Sequence, residues 1–421
     1  MVWVLSVYEQ RLSVDARPWA AAAPRWGARP PATLRAVEES LRTSKAVTKD
    51  HPTIGIDAGP LTSGHGIRGI GRYVASLLEA LAREESDWCS EHLGILVDGS
   101  ADSTWPSERT WRAHRSTVRP QDLGWLTSAF LDRLAIRGSN PLLWHQTDPS
   151  SPFSPVPLWR TIATVYDLIP LRDPAVMRRL RPHRRIPYRI YLRNARKAGL
   201  VIAISETTAL EVEEVLGVPA ERVRVVYPAV VQLATPVATK ASRREGEPAF
   251  LFVGVPDPHK RPDLAIDALA AFRRTNHAGR LSFIGFHPGR DRASLEARAR
   301  AASVADSVEF VDYLSDGDLA NRYASAILLA ISRIEGFGLP PVEAVMSGGT
   351  VVATPEPIYR EVLGQAACYA ADASPEALAE AMLTATYRPT DAAARTRLET
   401  RYSWRATADA LLGAYRVAQD L

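Results

Sequence analysis

Ser332-Arg333-Ile334-Glu335-Gly336-Phe337-Gly338-Leu339-Pro340-Pro341-Val342-Glu343-Ala344 follows the apolar run Ala326-Ile327-Leu328-Leu329-Ala330-Ile331. The short apolar run predicts a buried strand. Glu335 and Glu343, eight positions apart, bracket a Gly-Phe-Gly turn and a Pro-Pro helix start. Gly336 and Gly338 free the backbone for close approach and positive φ. Pro340 and Pro341 suit a first helical turn, where an N–H is not needed. Carboxylates, free N–H groups and a helix N-terminus therefore meet at the carboxyl end of a strand, where open α/β sheets bind ligands. A carboxylate accepts two hydroxyl hydrogen bonds at once, as a sugar diol offers. An acid-decorated helix start is the plain alternative for either Glu alone.

Working outward, β-rich runs alternate with helical ones. Strands are expected at Thr53–Asp57, Leu93–Val97, Leu142–Gln146, Thr161–Tyr166, Leu200–Ile204 and Val223–Tyr227. A second series is expected at Phe250–Gly254, Leu281–Gly285, Val308–Val311, Ile327–Ile331 and Val351–Thr354. Amphipathic runs such as Ile70–Leu81 and Glu206–Leu216 lie between them. Such alternation predicts parallel sheets covered on both faces. Two series predict an α/β chain of two Rossmann-like, doubly wound domains facing across a cleft, a preferred ligand site. The expected division is a disordered or loosely docked extension over 1–50, a first domain over 51–232, a polar linker over 233–247, a second domain over 248–400 and a final helix over 401–421. A docking helix within Thr33–Leu41 is the alternative for the extension.

The chain's 421 residues favour two domains. A net charge of +4 gives no general case for nucleic acid. Two cysteines, Cys89 and Cys368, suggest a reducing compartment, and nine scattered histidines show no zinc spacing. Neither a signal peptide nor a spanning helix is expected, so the chain reads as cytoplasmic.

Four further segments carry chemistry. Gly254-Val255-Pro256-Asp257-Pro258-His259-Lys260-Arg261 places two cations after a strand, where they could neutralise a diphosphate leaving group; a solvated basic loop is the alternative. Ile56-Asp57-Ala58, then Gly64-His65-Gly66-Ile67-Arg68-Gly69-Ile70-Gly71-Arg72-Tyr73, reads as strand, glycine loop and helix. Gly69 and Gly71 are too few for a dinucleotide fingerprint but could cradle phosphate or sugar. Tyr166-Asp167 ends a strand before Pro170, and His145 and Asp148 end an earlier one. These could face the cleft, or serve as caps and structural groups. Arg172 to Lys197 holds ten Lys or Arg. It reads as a solvated face or as a contact for anionic lipid headgroups on the inner face of the membrane.

Together these runs resemble the retaining glycosyltransferases of family four, which have the GT-B fold, over roughly residues 53–419. Glu335…Glu343 fits the family's Glu-seven-Glu signature with its Gly-Phe-Gly-Leu-Pro interior. Gly254…Lys260 looks like its phosphate loop, and Gly69-Ile70-Gly71-Arg72-Tyr73 like the first loop of bacterial mannosyltransferase types. Val201-Ile202-Ala203-Ile204-Ser205-Glu206 is similar to its strand before the mid-domain helix. Tyr402-Ser403-Trp404 is similar to the start of a final helix that crosses back to the first domain.

The resemblance implies a metal-independent hexosyltransferase without a cofactor. It would move a hexose, mannose first, from a nucleotide-diphosphate sugar, GDP-mannose first, to a glycan or lipid-linked acceptor. It implies Glu335 and Lys260 as catalytic. It implies Gly69, Gly71, Arg261, Gly336, Phe337, Gly338, Leu339 and Glu343 on the donor, and Tyr166, Asp167 and His145 on the acceptor side. Three departures stand out. His259 stands where an Arg often precedes the Lys, so Arg261 or Arg72 would share the diphosphate. Tyr166 stands where many members have His, which leaves it to shape a pocket. Ala229 replaces a common Gly. The alternatives are a non-catalytic GT-B glycan-binding or scaffold subunit, and a GT-B nucleotide-sugar epimerase.

Overall fold

A computed structural model describes residues 53–62, 69–84, 88–89, 92–97, 112–115, 141–149, 154–180, 182–230, 247–275, 278–312, 314–388 and 390–420. The 1–50 extension, most of the linker and Gly64–Arg68 of the glycine loop lie outside them.

Seven strands form the first sheet: β1 (Ile54–Asp57), β2 (Leu93–Val97), β3 (Arg112–Arg115), β4 (Leu143–Gln146), β5 (Thr161–Val165), β6 (Leu200–Ala203) and β7 (Val223–Val225). Their order is β3-β2-β1-β4-β5-β6-β7. Six form the second: β8 (Ala249–Val253), β9 (Arg280–Ile284), β10 (Val308–Val311), β11 (Ile327–Ala330), β12 (Thr350–Ala353) and β13 (Ala367–Tyr369), ordered β10-β9-β8-β11-β12-β13. All pairings are parallel, with Ile54 opposite Leu143 and Ile327 opposite Phe250. Both expected doubly wound sheets are present, and each expected strand lies within two residues of its predicted bounds.

Chain order reverses between β1 and β4, and again between β8 and β11. Loops leaving such a pair part to opposite faces and open a crevice at the strands' carboxyl ends. Lys260 follows β8 and Glu335 follows β11, so both flank the second crevice. β3 and β13 were not expected. β3, Arg-Ala-His-Arg, lacks apolar alternation, and β13 is only three residues.

Eight helices matter for the site: α1 (Gly69–Glu84), α2 (Pro182–Ala195), α3 (Glu206–Leu216), α4 (Pro262–Arg274), α5 (Leu339–Met346), α6 (Pro357–Leu363), α7 (Pro375–Tyr387) and α8 (Trp404–Gln419). Helix α3 starts because the Ser205 side chain accepts from the Thr208 N–H, and it stops at Gly217, where φ is 66°. Helix α8 starts on the Ser403 side chain in the same way. Its apolar stripe, including Leu411, Leu412 and Tyr415, is buried, and α8 packs along α1. The last helix thus leaves the second sheet and covers the first. Helix α7 lies against α4 on the second sheet.

Candidate functional site

Two loops build the second crevice. After β8 the backbone turns at Gly254, where φ is 147° and an added Cβ would meet the Lys260 Cδ at 3.3 Å. The loop then winds through a short turn over Pro258–Lys260. Arg261 takes the left-handed conformation at φ 53° and caps α4. This turn sends its two cations apart. Lys260 Nζ meets Glu335 Oε1 at 2.6 Å, whereas Arg261 meets Glu356 Oε1 at 2.5 Å. His259 is buried, which pushes its pKa down and favours the neutral ring; its carbonyl accepts from the Arg333 N–H at 2.7 Å.

Ser332 Oγ donates to Glu335 Oε1 at 2.7 Å. Burial pushes the Glu335 carboxyl up, but the Lys260 charge and the two hydrogen bonds outweigh it and hold the carboxyl below its usual range. Glu335 is therefore a fixed carboxylate. The cavity beside it is about 20 Å³ and is lined by Phe252, Lys260, Ser332, Glu335, Gly338 and Tyr359. That is room for about one water. Gly338, at φ 83°, caps the Leu339 start of α5.

Glu343 lies one turn into α5 and has different company. Its side chain is only 1% exposed. Arg72, on the first turn of α1 between Gly71 and Tyr73, reaches across from the first domain to 2.7 Å from Oε1. Tyr323 OH donates to Oε2 at 3.2 Å. Distance and angle disagree at Oε1: Arg72 is close enough for charge pairing, yet no donor there is aligned for a hydrogen bond.

The first domain contributes the opposite wall. The Tyr166 carbonyl lies so near Gly336 that an added Cβ there would sit 1.9 Å from it. Ser205 Oγ and Thr208 Oγ1 donate to the Gly336 carbonyl at 2.6 and 3.2 Å. Phe337 is buried against Tyr227 and Tyr402. Gly336 and Phe337 thus sit in the joint between the domains and outside the cavity lining. Tyr166 offers the cleft its backbone, since its ring is buried and its hydroxyl donates to the Thr147 carbonyl at 2.8 Å. Asp167, next in sequence, accepts from the Ile169 N–H at 3.0 Å. Burial raises its pKa to about 6, with the Glu335 charge adding to the rise.

The expected cleft position of His145 needs correcting. Its Nδ1 bonds the Tyr415 hydroxyl of α8 at 2.8 Å and its Nε2 the Thr164 hydroxyl at 2.7 Å. It is fully buried, and burial lowers its pKa to about 3. It is a neutral core histidine tying β4 and β5 to the returning helix, a role that depends on α8, far away in sequence.

Several residues escaped the sequence reading. Ser332 holds Glu335, and its signal was available three positions upstream. Asp173 caps Pro174–Arg179 and pairs with Arg333 at 2.5 Å across the cleft mouth. Glu361 of α6 accepts from the Glu206 and Thr207 N–H groups at 2.8 Å, from Thr207 Oγ1 at 2.5 Å and from the Tyr227 hydroxyl at 2.9 Å. Hydrogen bonds to a charged acceptor contribute about 1.5–3 kcal/mol each. A pair with one exposed partner, as Arg333 is, is weakened by solvent screening. The Glu361 side of the joint is therefore the firmer one. Among the described residues, no group of three or more His, Cys, Asp or Glu could hold a metal ion, and no helix is long and apolar enough to cross a membrane.

Residues 237–399 match the family Glycosyl transferases group 1, and residues 67–231 match Glycosyltransferase Family 4. The O-antigen chain mannosyltransferase RfbU of Salmonella typhimurium is 26% identical over 221 residues, covering 51% of this chain and 58% of that protein. A D-inositol 3-phosphate glycosyltransferase of Segniliparus rotundus is 30% identical over 233 residues, covering 52% of each. The chain spans about half the length of the curated relatives it matches. The solved structure of HepE from Anabaena, in complex with UDP and glucose, superposes with a TM-score of 0.65 at 16% identity, covering 87% of this chain and 100% of that one. At that identity the likeness speaks for the fold. With one family match over each sheet and two crevices in the GT-B arrangement, the chain belongs to the GT-B glycosyltransferases of family four and is similar to their bacterial mannosyltransferases.

Proposed function

We propose that this protein is a retaining, metal-independent glycosyltransferase that moves a hexose from a nucleotide-diphosphate sugar to a glycan or lipid-linked acceptor. The observation that carries the reading is the Lys260–Glu335 pair, 2.6 Å apart at the β8/β11 crevice, facing Asp167 of the other domain. In this reading Lys260 offsets the charge that grows on the diphosphate as the sugar–phosphate bond breaks. Glu335 grips the donor sugar's hydroxyls, and Glu343 grips the ribose. Gly338 and Leu339 bring the α5 N-terminus to the donor, and Gly69 and Gly71 approach it from the first domain. Arg261, engaged with Glu356, supports the phosphate loop from behind. Asp167 accepts a hydrogen bond from the acceptor hydroxyl. The proton leaves with the departing phosphate, so no further base is assigned. GDP-mannose is the favoured donor because two curated relatives are named mannosyltransferases.

A thermal-shift screen against GDP-mannose, UDP-glucose, UDP-GlcNAc and ADP-glucose in excess EDTA tests this. We expect one donor to raise Tm and to be consumed when a glycan acceptor is added. Binding without turnover would favour the scaffold reading, and sugar inversion on the nucleotide would favour the epimerase. Loss of all activity in EDTA would remove the metal independence.

We place the protein at the cytoplasmic face of a membrane for one reason. No Asp or Glu occurs between Asp173 and Glu206, while Arg178, Arg184, Arg189, Arg193, Arg196 and Lys197 are all exposed there. Exposed Ile186 lies among them, and exposed Leu171 precedes Asp173. Co-sedimentation with vesicles containing phosphatidylglycerol, and none with phosphatidylcholine alone, is expected. Equal recovery with both would discard it.

A further inference from the structure

We infer that Arg72 competes with the donor for Glu343: it occupies the place of the ribose diol on that carboxylate, and nucleotide binding exchanges it out. The inference rests on the donor-site reading of Glu343 given above.

The argument starts from the carboxylate. Glu343 is almost wholly buried, and a buried carboxylate is stable only with partners. Its own domain supplies one, the Tyr323 hydroxyl at 3.2 Å on Oε2. Oε1 is met by a group from the other domain, the Arg72 guanidinium at 2.7 Å. That guanidinium is a poor fit, since Oε1 accepts no aligned hydrogen bond. An oxygen paired in charge and unsatisfied in hydrogen bonding is suited to a better donor.

A vicinal diol supplies one. It offers two O–H donors side by side, as the guanidinium fork does with N–H groups. Its bonds are not tied to the α1 helix, so they can align where Arg72 does not. The Arg72 side chain is 40% exposed, so the face that leaves Glu343 regains water. The cavity of about 20 Å³ beside Glu335 has room for about one water and not for a nucleotide sugar. Arg72–Glu343 is a contact between the domains, so any parting of them breaks it. Exchange therefore links donor entry to the first turn of α1, which carries Arg72.

Guanosine and uridine are the probes, because they carry the diol without the phosphates that Arg72 would also attract. Their affinities are measured by titration NMR for wild type, Arg72→Ala, Glu343→Gln and the double variant. Arg72→Ala should tighten nucleoside binding about tenfold, the scale of one charge-assisted hydrogen bond. The same change on the Glu343→Gln background should do nothing, since there is no carboxylate to release. Unchanged or weaker nucleoside binding, or equal gains on both backgrounds, overturns the exchange. Arg72→Gln serves if the alanine variant misfolds. GDP and UDP titrated against wild type and Lys260→Ala separate the two readings. If they bind and Lys260→Ala weakens them, the donor site stands whatever Arg72 does. If neither binds, the donor site fails and the exchange fails with it.

Discussion

Glu335 and Glu343 are the same residue type on one short loop-and-helix segment, yet they live in different regions. Glu335 is held entirely by its own domain, by Lys260 from the loop after β8 and by Ser332 from its own turn. Glu343 is held partly by its own domain, through Tyr323, and partly by Arg72 of the other. The first environment is independent of how the domains sit. The second exists only when they are closed. One carboxylate is set by contacts within its domain, and the other by a contact between the domains as well.

The sharpest way to break this contrast is Glu335→Ala. Transfer should vanish while the fold survives, because the lost contacts are local; wild-type turnover would remove Glu335 from the catalytic group. Next in size is Gly336→Ala. Its new Cβ would collide with the Tyr166 carbonyl, so the domains must shift apart. A loss on the order of 10²-fold in transfer rate is expected from misplacement of the two walls. Full activity would mean that this closed contact is dispensable.

Lys260→Ala tests the within-domain half. Donor affinity should fall by about 1.5–3 kcal/mol, the worth of a charge-assisted contact. Calorimetry giving an unchanged Kd would refute it.

The smallest effect concerns pH. The Asp167 pKa, about 6 in the fold, lies above the ordinary aspartate value of 3.8. A raised folded value means that its contribution is fully present below 3.8 and is lost as pH rises through 6. Asp167→Asn should therefore gain in Tm relative to wild type between pH 4 and pH 7, and should lose a rise in activity near pH 6. Parallel Tm curves over that range would show an ordinary solvated carboxylate.

Which parts of this were legible is a matter of range. The strands were readable because a parallel sheet buried on both faces demands continuous apolar runs, as in Ile327–Ala330 and Val351–Ala353. The Glu335 turn was readable because its glycines, prolines and acids are consecutive. Lys260 and Arg261 were readable as a basic loop, but not which of them meets Glu335. That choice follows from the left-handed conformation at Arg261, which turns its side chain toward Glu356. His145 was misread because a strand-end histidine looks the same in sequence whether it meets solvent or the Tyr415 hydroxyl, 270 positions away.

By itself, then, the sequence determined two doubly wound sheets, a helix starting at a Gly-Leu-Pro-Pro turn, and a carboxylate and a cation beside one crevice. Those are local consequences of side-chain period, backbone freedom and strand order. Only the tertiary structure decided how the domains meet. It gave Gly336 and Phe337 to the joint, raised Asp167 by burial beside Glu335, and set Arg72 against Glu343. Each of these depends on groups brought together across the chain, whose pairing is fixed by closure and burial and by nothing in the neighbouring residues.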